Sequence, residues 1–175
     1  MTEGHYRHFI PSMAETDGST PLPPSIERIL KLFRMLSREE KMSALVQYSR
    51  KLEPVPERFQ ALDRAAFTVP ECQTRVDLFP ELTDGKLHFY ADVDARQSPT
   101  VAALLAIIFA AVNGQPASTA LALPGDFVRQ LMQSIGLGAR ESGLNAMVTR
   151  IKHFALQAEA TSHAAQPVNS FRETP

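Results

Sequence analysis

The stretch Val69-Pro70-Glu71-Cys72-Gln73-Thr74-Arg75-Val76-Asp77-Leu78-Phe79-Pro80, continued by Glu81-Leu82-Thr83-Asp84-Gly85-Lys86-Leu87-His88-Phe89-Tyr90-Ala91, decides the fold. Thr74, Val76 and Leu78 alternate with Arg75, Asp77 and Phe79, the period of a strand with one wet face. Pro80 brings no amide hydrogen and implies an edge or a strand end. Thr83-Asp84-Gly85 is a turn signal, and Leu87, Phe89 and Ala91 then alternate with Lys86, His88 and Tyr90 as the return strand of a hairpin. Upstream, Phe67-Thr68-Val69 adds a short strand that stops at Pro70. The expected sheet is antiparallel, of about three strands, with Cys72 in the turn between the first two.

Helical patterns flank this sheet. Ser25 follows two prolines and is the expected N-cap of a helix carrying Ile26, Ile29, Leu30, Phe33 and Leu36 on one stripe. Ser37-Arg38-Glu39-Glu40 is a capping box opening a second helix, whose buried face is expected at Met42, Leu45 and Leu52 and which Pro54 and Pro56 stop. Residues 57–66 carry no clear period and are expected to be irregular or a short helical turn. Pro99 suits the first turn of a third helix through Val112, with Asn113-Gly114 as its stop. It is apolar nearly all round and should be the central buried helix. Short helices are expected over 116–123 and 126–134. A long one starts near Arg140, with Leu144, Met147, Val148, Ile151 and Phe154 as its core stripe and Arg150 and Lys152 near its end.

The architecture expected is therefore α+β, a small antiparallel sheet packed on one side by helices. Residues 1–24, with the Pro21-Leu22-Pro23-Pro24 cluster and no apolar period, read as a disordered extension, 25–157 as the folded domain, and 158–175 as a polar tail. In the extension, His5 and His8 read as solvated side chains rather than metal ligands.

Composition narrows the function classes. At 175 residues, 44% hydrophobic and 21% charged, the chain is long enough for one domain with a real core. A net charge of −1 with scattered basic residues gives no electrostatic case for nucleic acid or an acidic membrane surface. The most apolar run, Val101 to Val112, is too short to span a bilayer, and the first residues lack a signal-peptide layout. A cytoplasmic location is the expectation, and there a lone thiol stays reduced.

Cys72 is the single cysteine. It cannot form an internal disulfide, complete a tetrathiolate zinc site or hold an iron–sulfur cluster unaided. A lone cysteine is more often an inert buried side chain than a nucleophile. Here its polar neighbours Glu71 and Gln73 and its turn position make it a candidate nucleophile. Arg75 would favour the thiolate and Glu71 would disfavour it, and spacing alone does not say which is closer. A Cys–His hydrolase would need His88 or His153 as its base, and neither carries a recognisable local signature. A redox-sensing thiol is another reading, weakened by the absence of a second, resolving cysteine.

An ordered series of short motifs adds to this reading. They are Leu52-Glu53-Pro54-Val55-Pro56-Glu57-Arg58, Val69-Pro70-Glu71-Cys72-Gln73-Thr74 with Val76, Gly85, and Asp92 to Ala95. They continue with Leu104-Leu105-Ala106-Ile107-Ile108, Ile135-Gly136-Leu137, Arg140, Gly143-Leu144-Asn145-Ala146-Met147 and Ile151-Lys152. Over about residues 26–156 the chain resembles the SufE family, small proteins that accept sulfur from a cysteine desulfurase during iron–sulfur cluster assembly. The chain departs from the usual pattern at Arg75, Asp77, Val93 and Ala103.

The resemblance implies a SufE/NifU-like fold and a role for Cys72 as the sulfur acceptor, with Gln73 and Thr74 shaping its loop and Glu71 in a supporting or partner-contact place. It assigns Asp94 a partner contact or a helix cap, and Arg140 either a place near the cysteine loop or a surface salt bridge. It implies no cofactor in this chain, since pyridoxal phosphate belongs to the partner desulfurase. The implied partners are a SufS-like cysteine desulfurase and a SufB-like cluster scaffold, with the chain a monomer or weak dimer. A module that activates a desulfurase without carrying sulfur is the alternative. Under the transfer reading, the apolar hairpin face and the last helix should shelter the sulfur.

Overall fold

The computed structural model describes residues 21–133, 135 and 141–164, with side chains to 162. Helix α1 spans Pro24–Met35 and α2 Arg38–Ser49, followed by two 3-10 turns at Glu57–Phe59 and Arg64–Ala66. Strands β1 (Asp77–Thr83) and β2 (Lys86–Asp92) form the sheet. Helices α3 (Pro99–Val112), α4 (Ala117–Leu121), α5 (Phe127–Met132) and α6 (Glu141–Ala164) complete the chain.

Helix α3 organises the packing. All of its residues except Pro99, Thr100 and Ala110 are buried, as its all-apolar sequence requires. Helices α1 and α2 and strand β2 pack around it, while α6 lies against β1, α4 and α5. Ile26, Ile29, Leu30 and Phe33 of α1 enter the core as one stripe. Pro24 rather than the expected Ser25 opens α1: the helix starts at Pro24, Pro23 stands at the cap, and no side chain caps it. Proline at the first position needs no cap for its own nitrogen.

The capping box of α2 is present, with Glu40 N donating to Ser37 Oγ at 3.3 Å and Ser37 N donating to Glu40 Oε2 at 2.8 Å. The buried face of α2 differs from the expected one. Leu45 is buried, but Met42 is 47% exposed and Lys41 only 4%. The Lys41 ammonium donates to the Gln133 carbonyl at 2.8 Å, beyond the end of α5. A buried lysine is tolerated where its charge meets a carbonyl at a helix C-terminus.

The sheet has two strands, not about three. Register runs from Asp77↔Asp92 to Thr83↔Lys86, closed by Asp84 (φ 51°) and Gly85 (φ 72°). Two central residues with positive φ give the tight turn whose twist matches a hairpin. The expected strand at 67–69 makes only one bridge, Thr68↔Asp77, because Pro70 has no amide hydrogen to extend the pairing. The outer edge of β2 is closed differently: Asn113 exchanges side-chain bonds with Phe89 N (2.9 Å) and Phe89 O (3.1 Å). Leu87 bonds the backbone of Gly114 and Gln115 on the same edge.

Alternation holds in β2 but fails at the start of β1, where Val76, Asp77, Leu78 and Phe79 are all buried. The face expected to be wet is covered by the 3-10 turns. Phe79 packs on Phe59 and Phe67 with ring centroids 5.3 and 5.0 Å away. Asp77 is likewise buried, matched by Arg64 and Arg75. Helix α6 continues to Ala164, so Arg150 and Lys152 lie in its middle rather than near its end.

Candidate functional site

Proline at 70 and the bridge at Thr68 turn the chain outward, so residues 69–76 form a loop closed at its neck. Val69 N donates to Val76 O and Leu78 N to Phe67 O, each at 2.9 Å. Inside the loop Cys72 N donates to Val69 O at 3.3 Å, curling the thiol back toward the domain. Cys72 is half-buried and unbonded to another sulfur.

The thiol borders a cavity of about 370 Å³ built where three elements meet. Loop residues 71–74 form one wall, Gln97, Ser98 and Val101 at the start of α3 a second, and Ser142, Gly143 and Leu144 at the start of α6 a third. The Thr74 and Ser98 hydroxyls, 2.7 Å apart, tie the loop to α3. Helix α6 approaches the loop at Gly143, where a Cβ would come into ordinary contact with Cys72 Cα at 3.5 Å and the Glu71 carbonyl at 3.6 Å. Both helices present their N-terminal ends to the cavity.

The structure thus gathers Glu71, Gln73 and Thr74 with Cys72 around one cavity. Asp94 lies elsewhere. It lines a neighbouring hollow of about 420 Å³ with Arg75 and Asp77. Its Oδ1 accepts from Arg96 N (2.9 Å) and Gln97 N (3.2 Å), and its carbonyl from Ser98 N (2.8 Å). This bonding shapes the turn that leads into α3, but Ser98 stands at the cap of that helix and no side chain caps it. Arg140 lies outside the described residues.

Arg75 does not answer the thiol; its Nε donates to Asp77 Oδ2 at 3.3 Å. Neither histidine borders the cysteine cavity. His88 sits 3.2 Å from Glu53 and against the Tyr90 ring, and His153 bonds Gln157 at 3.0 Å. A cysteine–histidine pair is therefore not assembled among the described residues. Nor do the described residues hold a cluster of three or more metal-ligating side chains. No helix among them is long and apolar enough to cross a membrane.

Ser98, Gln97, Ser142 and Gly143 enter the site without having been singled out as functional from sequence. Gly143 left the clearest trace, since a glycine inside a helical pattern costs stability relative to alanine. Ser98, directly before Pro99, carried the signature of a helix start but nothing that linked it to Thr74.

Comparison with known proteins agrees with this architecture. The family model described as the Fe-S metabolism associated domain, SufE, matches residues 27–155. An uncharacterized SufE-like protein of Mycobacterium tuberculosis is 30% identical over 146 residues, covering 79% of this chain and 96% of that protein. Another uncharacterized SufE-like protein, from Synechocystis, is 31% identical over 108 residues, 61% of this chain and 64% of its own. The solution structure of a hypothetical protein from Thermus thermophilus superposes with a TM-score of 0.70 at 26% identity, over 80% of this chain and 99% of that one.

Proposed function

The chain belongs to the SufE family and so to iron–sulfur metabolism, and from that premise we propose that Cys72 is a sulfur carrier loaded by a cysteine desulfurase. The observation that carries the reading is the half-buried Cys72 thiol at a cavity of about 370 Å³, large enough for an added sulfur and open to a partner. The donor is a persulfide on the desulfurase, formed by that partner's own pyridoxal phosphate chemistry. The Cys72 thiolate attacks the outer sulfur of the donor. A new S–S bond forms to Cys72, the donor's S–S bond breaks, and the donor cysteine leaves as thiolate. No net oxidation occurs, and the rate follows thiolate fraction, leaving-group pKa and access.

The walls from α3 and α6 shelter the loaded sulfur until a cluster scaffold accepts it. Such chemistry suits a reducing compartment such as the cytoplasm, where a thiol stays free. This chain needs no cofactor for the transfer.

Incubation with a purified cysteine desulfurase and L-cysteine, followed by mass spectrometry without reductant, tests the proposal. One added sulfur on Cys72, absent from Cys72→Ser, is expected. A wild-type chain that gains none would sink it. Full stimulation of desulfurase turnover by Cys72→Ser would instead favour a module that activates without carrying sulfur.

A further inference from the structure

In the hollow that adjoins the cysteine cavity, a buried carboxylate joins both arms of the loop's neck. Asp77 is 1% exposed. On the incoming arm, Thr68 Oγ1 lies 2.6 Å from Asp77 Oδ1 and 2.9 Å from the Arg64 carbonyl, its one proton shared between two acceptors. On the outgoing arm, Arg75 Nε donates to Asp77 Oδ2 at 3.3 Å. Arg64 Nη1 donates to the same oxygen at 3.1 Å and also to Asp92, the cross-strand neighbour of Asp77. One carboxylate therefore ties both arms, the preceding 3-10 turn and the base of the hairpin together.

Stability is by itself a weak reason for this choice of residue. A buried ion pair is often no better than an apolar side chain of similar size, and its clearest use is to hold one arrangement against others. We infer that Asp77 is a positioning residue for Cys72: it clamps the neck of the 69–76 loop and so holds the thiol in its place at the cavity. The inference rests on the sulfur-transfer reading for its consequence, though not for its geometry.

Asp77→Leu separates the two roles, because it strands no buried donor. Thr68 keeps the Arg64 carbonyl, Arg64 keeps Asp92, and Arg75 is 69% exposed. The full chain is assayed by unfolding, by iodoacetamide alkylation of Cys72, and by sulfur uptake from a purified cysteine desulfurase with L-cysteine. Expected for Asp77→Leu are a near-native melting temperature and alkylation altered several-fold. The saturating rate of sulfur uptake should fall about tenfold, as expected when a reacting atom loses its alignment. The concentration giving half-maximal rate should be unchanged. Asp77→Asn, which keeps an acceptor for Thr68, should fall between Leu and wild type.

Unchanged alkylation and an unchanged saturating rate would overturn the inference. So would a rise in the half-saturating concentration alone, which would place the effect on docking. If Asp77→Leu does not fold, Thr68→Val carries the same test from the other arm, with a smaller change in the same direction. Altered alkylation in a protein whose wild type takes up no sulfur would leave the clamp standing and remove only the proposed function.

Discussion

Gly143 lies so close to Cys72 that a methyl group added to the glycine would sit 3.7 Å from the sulfur. That is contact distance, not a clash, so Gly143→Ala should fold. Removing a helical glycine should add up to about 1 kcal/mol of stability. The methyl would also occupy space beside Sγ, and crowding a filled site carries its own cost. The expected outcome is a protein at least as stable in urea unfolding, with sulfur loading slowed several-fold in a mass-spectrometric time course.

The Thr74–Ser98 hydroxyl pair should hold the loop against α3. Ser98 is buried, so Ser98→Ala removes one shielded hydrogen bond, costing about 1 kcal/mol. Alkylation of Cys72 should quicken while the circular dichroism spectrum stays native. An unchanged alkylation rate would mean that the pair does not restrain the loop.

Acid sensitivity should trace in part to Glu81. The Arg58 guanidinium donates Nε and Nη2 to its carboxylate at 2.8 and 2.7 Å, and this hydrogen bonding holds the carboxyl below its ordinary value. Because the folded pKa is depressed, the contribution is fully present above the ordinary carboxylate value and fades as pH falls through the folded one. Unfolding curves of wild type and Glu81→Gln should therefore differ at neutral pH and converge in acid.

Gly85 holds the hairpin turn at φ 72°, and nothing lies within 4 Å of a Cβ placed there. Gly85→Ala therefore probes backbone strain without steric clash, costing roughly 1–2 kcal/mol. For a domain of this size that lowers Tm by about 2–8 °C, readable by calorimetry. Sulfur loading should be unaffected, because the turn lies at the far end of the hairpin from Cys72.

Much of the fold was legible because short-range rules act on consecutive residues. The capping box at Ser37, the hairpin turn at Asp84-Gly85 and the burial of α3 all follow from local chemistry. Met42 is exposed where burial is expected, and Lys41 is buried in its stead, because burial on α2 depends on where α3 and the end of α5 lie. Asp77 was expected on a wet face because period two says nothing of what covers the second side. Thr68 was expected in a full strand, and Pro70 limits it to one bridge. At the site, the adjacent residues Glu71, Gln73 and Thr74 could be named from their place beside Cys72, whereas Ser98 and Gly143 are 26 and 71 positions away in the chain.

Taken alone, the sequence determined that this protein has one thiol, that it lies in a turn before a hairpin, and that an apolar helix must form the core. Those properties depend on residue identity, spacing and local backbone preference. Only the tertiary structure decided what surrounds the thiol: a cavity walled by the starts of α3 and α6, and in the adjoining hollow a buried Asp77 between two arginines. Chain folding brings these groups together from distant positions, and no period or motif encodes the distances between them.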